Sequence, residues 1–206
     1  MARKKTNILS QHVYEFTKDH FEKLPGNFFE IGIFNGVGTA YIAATFPNRK
    51  IFAVDPFIED GHTTGASGIR RGRSMPNQRE AAINNLSPHN NVLLIESRSS
   101  EVALYLTAQD IINYNVTWVV IDGSHHYKDV VIDAELARCL IDDKRGIIVF
   151  DDLQHNGVMQ AYNEFKEKYS FRIVNEQKIG FHESCGILEF SGIVRNSAIL
   201  EFIGKE

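Results

Sequence analysis

Short apolar runs alternate along this chain with segments whose apolar residues recur at helical spacing. Apolar runs of four to eight residues between turn residues are typical of strands buried on both faces, as in parallel sheets. Strands that alternate with helices predict an open α/β sheet, wound with helices on both faces. The predicted strands occupy residues 28–34, 50–54, 91–96, 117–121 and 147–150, and the predicted helices 7–24, 40–46, 78–86, 100–114, 129–141 and 157–169.

The end of the chain completes this sheet. Residues 170–174 and 186–190 predict two last strands, a hairpin-like pair at the sheet edge. The expected fold class is therefore α/β, a Rossmann-like, doubly wound, seven-stranded, mostly parallel sheet with an antiparallel last strand. Length and the lack of a linker predict one domain over residues 1–206, with a helical segment at 1–25. That segment packs on the sheet, covers a ligand or meets a second subunit.

A glycine-rich turn follows the first strand, and the second strand ends on one acidic residue, Asp55. In doubly wound folds this order marks the adenosine-binding half: glycines let the backbone approach the ligand, and the acid accepts hydrogen bonds from ribose hydroxyls. The spacing Gly32-x-x-x-Gly36 differs from the G-x-G-x-x-G of dinucleotide sites. The expected contacts are Glu30, Gly32, Phe34, Asn35, Gly36 and Asp55.

Glu30 decides between the two ligand classes. A carboxylate two residues before Gly32 is poorly placed beside a pyrophosphate. It suits a cationic ligand such as S-adenosylmethionine, which carries an amino group and a sulfonium. We therefore favour S-adenosylmethionine over a dinucleotide, and a glycine turn that binds nothing remains a third interpretation.

Residues 56–77 form a long segment without periodicity that follows the second strand. Long loops are usually functional or mobile, and this one begins on the ligand side of the sheet. We expect a lid over the substrate, in which Arg70, Arg71 and Arg73 meet an anionic group. A solvated basic loop is the equal alternative.

Carboxylates also end the fourth and fifth predicted strands, at Asp122 and at Asp151-Asp152. Adjacent parallel strands lie about 4.8 Å apart, so these three groups are expected to converge at the cleft. Such a trio needs a cation or a shared proton, and oxygen ligands suit Mg²⁺ best. The alternative for Asp152 is a helix N-cap.

Two adjacent histidines follow Asp122. His125 lies three residues after Asp122, and a neutral imidazole there is suited to take a proton from an alcohol. We interpret His125 as a general base and His126 as a surface residue. For His155 a structural role is favoured over a pocket role.

Composition narrows the class of protein. The chain has 206 residues, 43% of them hydrophobic, and a net charge of −4 with a pI of about 6.1, which argues against a nucleic-acid partner. No apolar run is long enough to span a membrane, and no apolar segment follows the basic N-terminus. Two cysteines, Cys139 and Cys185, predict free thiols in a reducing cytoplasm.

These motifs carry a family resemblance. The span 28–190 resembles class I S-adenosylmethionine-dependent methyltransferases, and in particular the small metal-dependent O-methyltransferases, both the macrocin-type sugar enzymes and the catechol enzymes. The matching residues are Glu30-Ile31-Gly32 with Gly36, then Asp55, Asp122-Gly123-Ser124-His125 with Tyr127, and Asp151-Asp152.

The resemblance implies a role for each matching position. Ser99 would lie near the adenine, Asp122 would contact the cofactor and the metal, and His125 would be the catalytic base. A divalent cation, most plausibly Mg²⁺, would be held by Asp122, Asp151 and Asp152. The substrate would be a hydroxyl of a small molecule and the assembly a possible homodimer. Arg98 is a departure, since relatives often have an acid there.

Three other functions remain open at this stage. One is a methyltransferase that uses no metal. Another is a protein that binds S-adenosylmethionine without catalysis. The third is a dinucleotide-dependent oxidoreductase, which Glu30 and the glycine spacing disfavour.

Overall fold

A computed structural model of the chain describes residues 14, 18–19, 21–58, 77–141, 145–175, 178–179, 183–184 and 186–191. Its strands are β1 (Asn27–Ile31), β2 (Ile51–Val54), β3 (Val92–Ile95), β4 (Val116–Ile121), β5 (Arg145–Phe150), β6 (Arg172–Asn175), β7 (Lys178–Ile179), β8 (Glu183–Ser184) and β9 (Gly186–Ser191). Its helices are α1 (Val37–Thr45), α2 (Gln78–Leu86), α3 (Ser99–Tyr105), α4 (Ala108–Tyr114), α5 (Tyr127–Ile141) and α6 (Asn156–Lys168).

Seven strands form one sheet in the order β3-β2-β1-β4-β5-β9-β6. The pairs β1–β2, β1–β4, β2–β3 and β4–β5 are parallel, whereas β9 runs antiparallel to both β5 and β6. The predicted fold class is confirmed. The strand order reverses between β1 and β4, where a doubly wound sheet opens the crevice that binds ligands.

One predicted helix is two helices. The region expected to be a single helix at 100–114 breaks between α3 and α4 at Leu106-Thr107. Thr107 begins α4 as its N-cap: its Oγ1 accepts from the backbone N–H of Asp110 at 3.1 Å, while Asp110 Oδ2 accepts from the Thr107 N–H at 3.0 Å. This capping box satisfies two backbone N–H groups at the start of α4. The helical spacing of apolar residues could not reveal this break.

The core lies on both faces of the sheet because successive strand residues point to opposite sides. Phe29 and Ile121 face α5 and α6, in a cluster with Leu140 and Phe165. On the other face, Trp118 belongs to a second buried cluster that packs with α1. Such two-sided burial explains why the strands are continuous apolar runs rather than alternating ones.

A close approach of two turns requires glycine at position 32. Gly32 has a φ of +84°, and a Cβ there would collide with the carbonyl oxygen of Asp122. The two turns are joined by the Asp122 N–H, which donates to Ile31 O at 2.8 Å. Side chains are strained at such φ values, and backbone on both sides leaves no room to relax.

We therefore expect Gly32→Ala to lower the free energy of unfolding by about 2–3 kcal/mol, from strain and overlap together. Gly123→Ala is the matched control on the facing turn, because a Cβ there would meet its nearest atom at 3.6 Å, an ordinary contact. Urea unfolding of both variants measures the difference. Equal losses at the two positions would contradict this account of the turn.

Several predicted features lie outside the described residues. They are most of the N-terminal helix, most of the expected lid with its three arginines, Cys185, and the tail after residue 191. Within the described part, Cys139 is not in a disulfide. No helix among the described residues combines the length and apolar character needed to cross a bilayer. The cytoplasmic location and the homodimer stay predictions.

Candidate functional site

A cleft of about 440 Å³ opens at the carboxyl ends of β1, β2 and β4. This volume falls in the range of small-molecule sites. Its walls come from the turn after β1, the segment after β2, the start of α3, the turn after β4 and the middle of α5. Among the lining residues are Gly32, Phe34, Asp55, Pro56, Phe57, Ile58, Arg98, Ser99, Asp122, Gly123, Ser124, His126, Asp129 and Asp133. Five of the eight residues expected to contact the cofactor are in this set.

Asp55 lines the cleft and accepts three hydrogen bonds from the backbone. Its Oδ2 accepts from the backbone N–H groups of Ile33 and Phe34, both at 3.0 Å, and its Oδ1 accepts from the Phe57 N–H at 2.8 Å. A carboxylate offers about four acceptor sites, so one remains for a ligand hydroxyl. The acid at the end of β2 therefore fixes the glycine turn in addition to facing the cleft.

The structure places Glu30 beneath the cleft. Its exposed fraction is 2%, it is absent from the cleft wall, and its carboxylate accepts from Tyr14 Oη and, at 2.7 Å, from Thr39 Oγ1. The expected direct contact of Glu30 with the cationic end of a ligand is not present in this arrangement. The reason is that a strand residue faces a single side of the sheet, and here that side is the Tyr14 and α1 side.

Asn35 and Gly36 also lie off the cleft wall. Asn35 Oδ1 accepts from the Val37 N–H at 3.3 Å, next to the start of α1. Gly36 has a φ of +72° and packs against Leu86 of α2. Both residues shape the turn and leave the cleft to Gly32 and Phe34.

Burial raises the pKa of Glu30 to about 7, against the hydrogen bonds from Tyr14 and Thr39, which lower it. A raised pKa in the folded protein adds stability below the pKa of the unfolded chain, about 4.5, and this stability is lost as pH rises towards 7. The difference corresponds to roughly 3 kcal/mol.

We expect Glu30→Gln to become more stable relative to the wild type as the pH rises. Between pH 4.5 and pH 7.5 the difference in the free energy of unfolding should shift by roughly 3 kcal/mol in favour of the variant. The glutamine oxygen still accepts from Tyr14, so the geometry is kept. Denaturant unfolding at four pH values measures the difference. A pH-independent difference would show that Glu30 is ionised in the fold throughout this range.

Asp133 is a site residue that the sequence reasoning missed. It lines the cleft from α5, only 2% of it is exposed, and its Oδ1 has no hydrogen-bond partner among the described residues. Burial raises its pKa to about 7, partly offset by a hydrogen bond from Ser99. The sequence did contain a signal for this residue, because Asp133 is a polar residue in the stripe of buried positions that includes Val130 and Ala137 at helical spacing.

The predicted base contacts the predicted metal ligand directly. His125 Nε2 lies 2.8 Å from Asp152 Oδ2, and the His125 and His155 rings stack with centroids 4.0 Å apart and planes at 14°. Burial would raise the pKa of Asp152, but the hydrogen bond and charge of His125 hold it below its usual value. Burial and the charge of His125 lower the pKa of His155.

His125, Asp152 and His155 form a group of potential metal ligands, with one donor atom of each lying within 4.8 Å of the others. The lone pairs of an imidazole lie in the ring plane, so two nearly parallel stacked rings direct theirs side by side rather than at one point. The arrangement described here therefore suits a His–Asp hydrogen bond better than coordination by both histidines.

The three predicted carboxylates border one small niche but do not form a group of three metal ligands among the described residues. Asp151 is buried and its Oδ1 accepts from the Asp152 N–H at 2.9 Å, while Asp152 has a φ of +58° and contacts His125 through its side chain. Asp122 and Asp151 do not join Asp152 in a group of three ligands within the described part of the chain. Burial and the neighbouring charge of Asp152 raise the pKa of Asp151. A cation held by this trio stays a prediction.

His126, interpreted above as a surface residue, is exposed but lines the cleft. Ser124 lines it too, and its Oγ donates to Asp129 Oδ2 at 2.7 Å. His125 instead borders a small niche that shares Asp122, Gly123 and Ser124 with the cleft. The tight turn after β4 thus presents one histidine to each compartment.

Comparison with protein families gives one match, a family described as "Methyltransferase domain", over residues 29–153. This span is more than half of the chain and contains the glycine turn, Asp55 and Asp122. No protein with curated functional information is similar enough to match.

Solved structures share the fold at low sequence identity. A precorrin-6y C5,15-methyltransferase from Geobacter metallireducens is 16% identical, with a TM-score of 0.56 and 93% of each chain covered. The N-methyltransferase NodS from Bradyrhizobium japonicum, in complex with S-adenosyl-L-homocysteine, is 13% identical, with a TM-score of 0.54 and coverages of 89% and 86%. An rRNA methylase from Streptococcus thermophilus is 15% identical, with a TM-score of 0.52 and coverages of 91% and 98%.

Proposed function

The chain belongs to the methyltransferase-domain family, and from that premise we propose that it transfers a methyl group from S-adenosylmethionine to a hydroxyl of a small molecule. The enzyme class, a S-adenosylmethionine-dependent methyltransferase, is confirmed. The observation that carries the finer proposal is the His125–Asp152 pair, held at 2.8 Å beside the cleft.

The cleft residues fit the cofactor. The remaining acceptor site of Asp55 suits a ribose hydroxyl. Gly32 brings the backbone close to the ligand because no side chain fills the turn. When bound, S-adenosylmethionine supplies an electrophilic methyl group on a sulfonium sulfur.

His125 is the proposed general base, and its contact with Asp152 supports that role. Its Nε2 faces Asp152, which orients the ring and stabilises the imidazolium once a proton arrives. Its Nδ1 then carries the lone pair that takes the proton of the acceptor hydroxyl. A hydroxyl needs such a base at neutral pH, whereas an amine with a free lone pair does not, and this favours oxygen as the acceptor atom.

A divalent cation is also part of the proposal, on the strength of the sequence motif and of the niche that the three aspartates share. Asp151 is a buried carboxylate whose pKa is raised by burial and by the charge of Asp152, and Asp122 and Asp152 border the same niche. These three residues would hold the cation, with Mg²⁺ preferred for oxygen ligands. It would lower the pKa of an acceptor hydroxyl bound to it.

We expect EDTA to lower turnover at least ~10-fold and added Mg²⁺ to restore it, because the cation would no longer lower the pKa of the acceptor hydroxyl. Asp151→Asn is expected to raise the Mg²⁺ concentration needed for half-maximal rate. The measurement is methyl transfer against Mg²⁺ concentration. Full turnover in EDTA would contradict the cation and leave a metal-free enzyme.

The metal-free reaction is a second candidate because one observation favours it. The stacked rings and the His125–Asp152 hydrogen bond form a complete base without an ion. Under this alternative, Asp152→Asn lowers turnover while EDTA has no effect.

A screen of acceptors tests the main proposal. The protein and isotopically labelled S-adenosylmethionine are incubated with catechols, glycosides, amines and RNA, and products are identified by mass spectrometry. O-methylation of a catechol or a glycoside is the expected result. Methylation of amines or RNA alone would contradict the proposed acceptor, with the family assignment intact.

A further inference from the structure

We infer that His155 is a positioning residue whose ring, stacked on that of His125, holds the His125 imidazole in the orientation from which it takes the proton of the acceptor. This inference rests on the proposed role of His125 as the general base. It gives His155 a function in turnover, beyond the structural role that the sequence favoured.

The first observation is the geometry of the two rings. Their centroids lie 4.0 Å apart and their planes differ by 14°. A histidine ring turns over a broad range about its Cβ–Cγ bond, because this bond ends on a planar group. The hydrogen bond to Asp152 fixes the position of His125 Nε2 but lets the ring tilt about that contact. A nearly parallel ring at stacking distance restricts the tilt.

The second observation is that the backbone holds the two rings at this separation. The His155 N–H donates to the carbonyl oxygen of Asp152 at 2.9 Å, which closes a tight turn between the partner of the base and the stacking ring. The first turn of α6 lies against the loop of His125, since a Cβ on Gly157 would collide with the His125 carbonyl oxygen. The segments that carry the two rings are therefore in direct backbone contact.

The third observation is that the His155 side chain does not serve the helix it precedes. His155 is the N-cap residue of α6, and its side chain makes no capping hydrogen bond. Ser, Thr, Asp and Asn are the residues that cap helices well. The ring at this position is therefore explained by its contact with His125 rather than by helix capping.

The partner of the base is fixed by the same turn. Gln154 Nε2 donates to Asp152 Oδ1, while Asp152 Oδ2 faces His125. Residues 152–155 thus supply the carboxylate that pairs with His125, a donor that orients this carboxylate, and the ring that stacks on the base.

Nuclear magnetic resonance tests the stack without an acceptor. In the full-length protein labelled with ¹⁵N-histidine, the ring signals of His125 are identified by their loss in His125→Ala. A facing ring shields the protons of its neighbour, so we expect the carbon-bound ring protons of His125 to move downfield in His155→Ala and to stay near their wild-type positions in His155→Phe. His89→Ala is the control and should leave them in place. Unchanged His125 signals in His155→Ala would overturn the inference.

Kinetics test the consequence for turnover. His155→Ala is expected to lower kcat about 10-fold, because a small misplacement of a reacting group strongly reduces the rate. The affinity for S-adenosylhomocysteine should change less than about twofold, since His155 is outside the cleft wall. His155→Phe keeps a flat ring but no nitrogen, and its kcat should stay within about threefold of the wild type. A loss in His155→Phe as large as that in His155→Ala would overturn stacking as the role of His155.

A double variant separates positioning from general damage. If His155 acts through His125, adding His155→Ala to His125→Ala lowers the remaining rate by less than about twofold. An equal loss from His155→Ala in both backgrounds would overturn the inference and leave His125 as the base. Wild-type turnover of His125→Ala, or no methyl transfer to any acceptor, would overturn both the proposed function and this inference.

Discussion

Replacing His125 with alanine is expected to lower turnover by roughly 10²–10⁴-fold, the usual contribution of a general base. The affinity for S-adenosylhomocysteine should change less than about threefold, because His125 borders the niche beside the cleft and is not part of the cleft wall. Steady-state kinetics and calorimetry on the same preparation separate the two effects.

The design includes a graded series. His89→Ala changes a partly buried histidine in the turn after α2, far along the chain from the site, and should leave turnover unchanged. Asp152→Asn keeps the shape of the partner but removes its charge, so an intermediate loss is expected. Turnover of His125→Ala within a few-fold of the wild type would rule out His125 as the base.

Asp55→Ala is expected to weaken the binding of S-adenosylhomocysteine by roughly 10²–10³-fold. The change removes the acceptor for a ribose hydroxyl and also the anchor of three backbone N–H groups, at 2.8 to 3.0 Å. Hydrogen bonds to charged groups contribute about 1.5–3 kcal/mol each. Losing the three that hold the turn is therefore expected to weaken ligand binding strongly even without the lost ribose contact. Calorimetry measures it.

Asp55→Asn gives the comparison, since one oxygen remains as an acceptor while the other position becomes a donor facing backbone N–H groups. A loss intermediate between those of the wild type and the alanine variant is expected. Circular dichroism checks that both variants fold. Affinity of Asp55→Ala within threefold of the wild type would show that the β2 acid does not contact the ligand.

The strands were predictable because each one is buried on both faces and must be apolar throughout. β4 and β5 are such runs, and both were located to within two residues at each end. The antiparallel β9 was recognised from its apolar run, but its place between β5 and β6 was not. Strand order depends on long-range pairing, which local pattern does not encode.

The site was predictable in part. Gly32, Asp55 and Asp122 line the cleft because parallel strands deliver the residues at their carboxyl ends to one edge of the sheet. Glu30 was expected there too, but the direction of its side chain depends on which face Tyr14 covers. Asp152 was assigned to a carboxylate trio, and in the structure its Oδ2 lies 2.8 Å from His125 Nε2, a contact that the sequence did not predict.

By itself, the sequence determined the α/β class, the position of the cleft and the adenosine-binding half, since these follow from local burial and from glycines that no other residue replaces. Tertiary structure alone decided which polar groups meet. His125 contacts Asp152 because two loops converge, and Asp133 faces the cleft because α5 packs beside the start of α3. Side-chain partners from distant elements depend on rotation and packing of whole elements, which a linear pattern does not record.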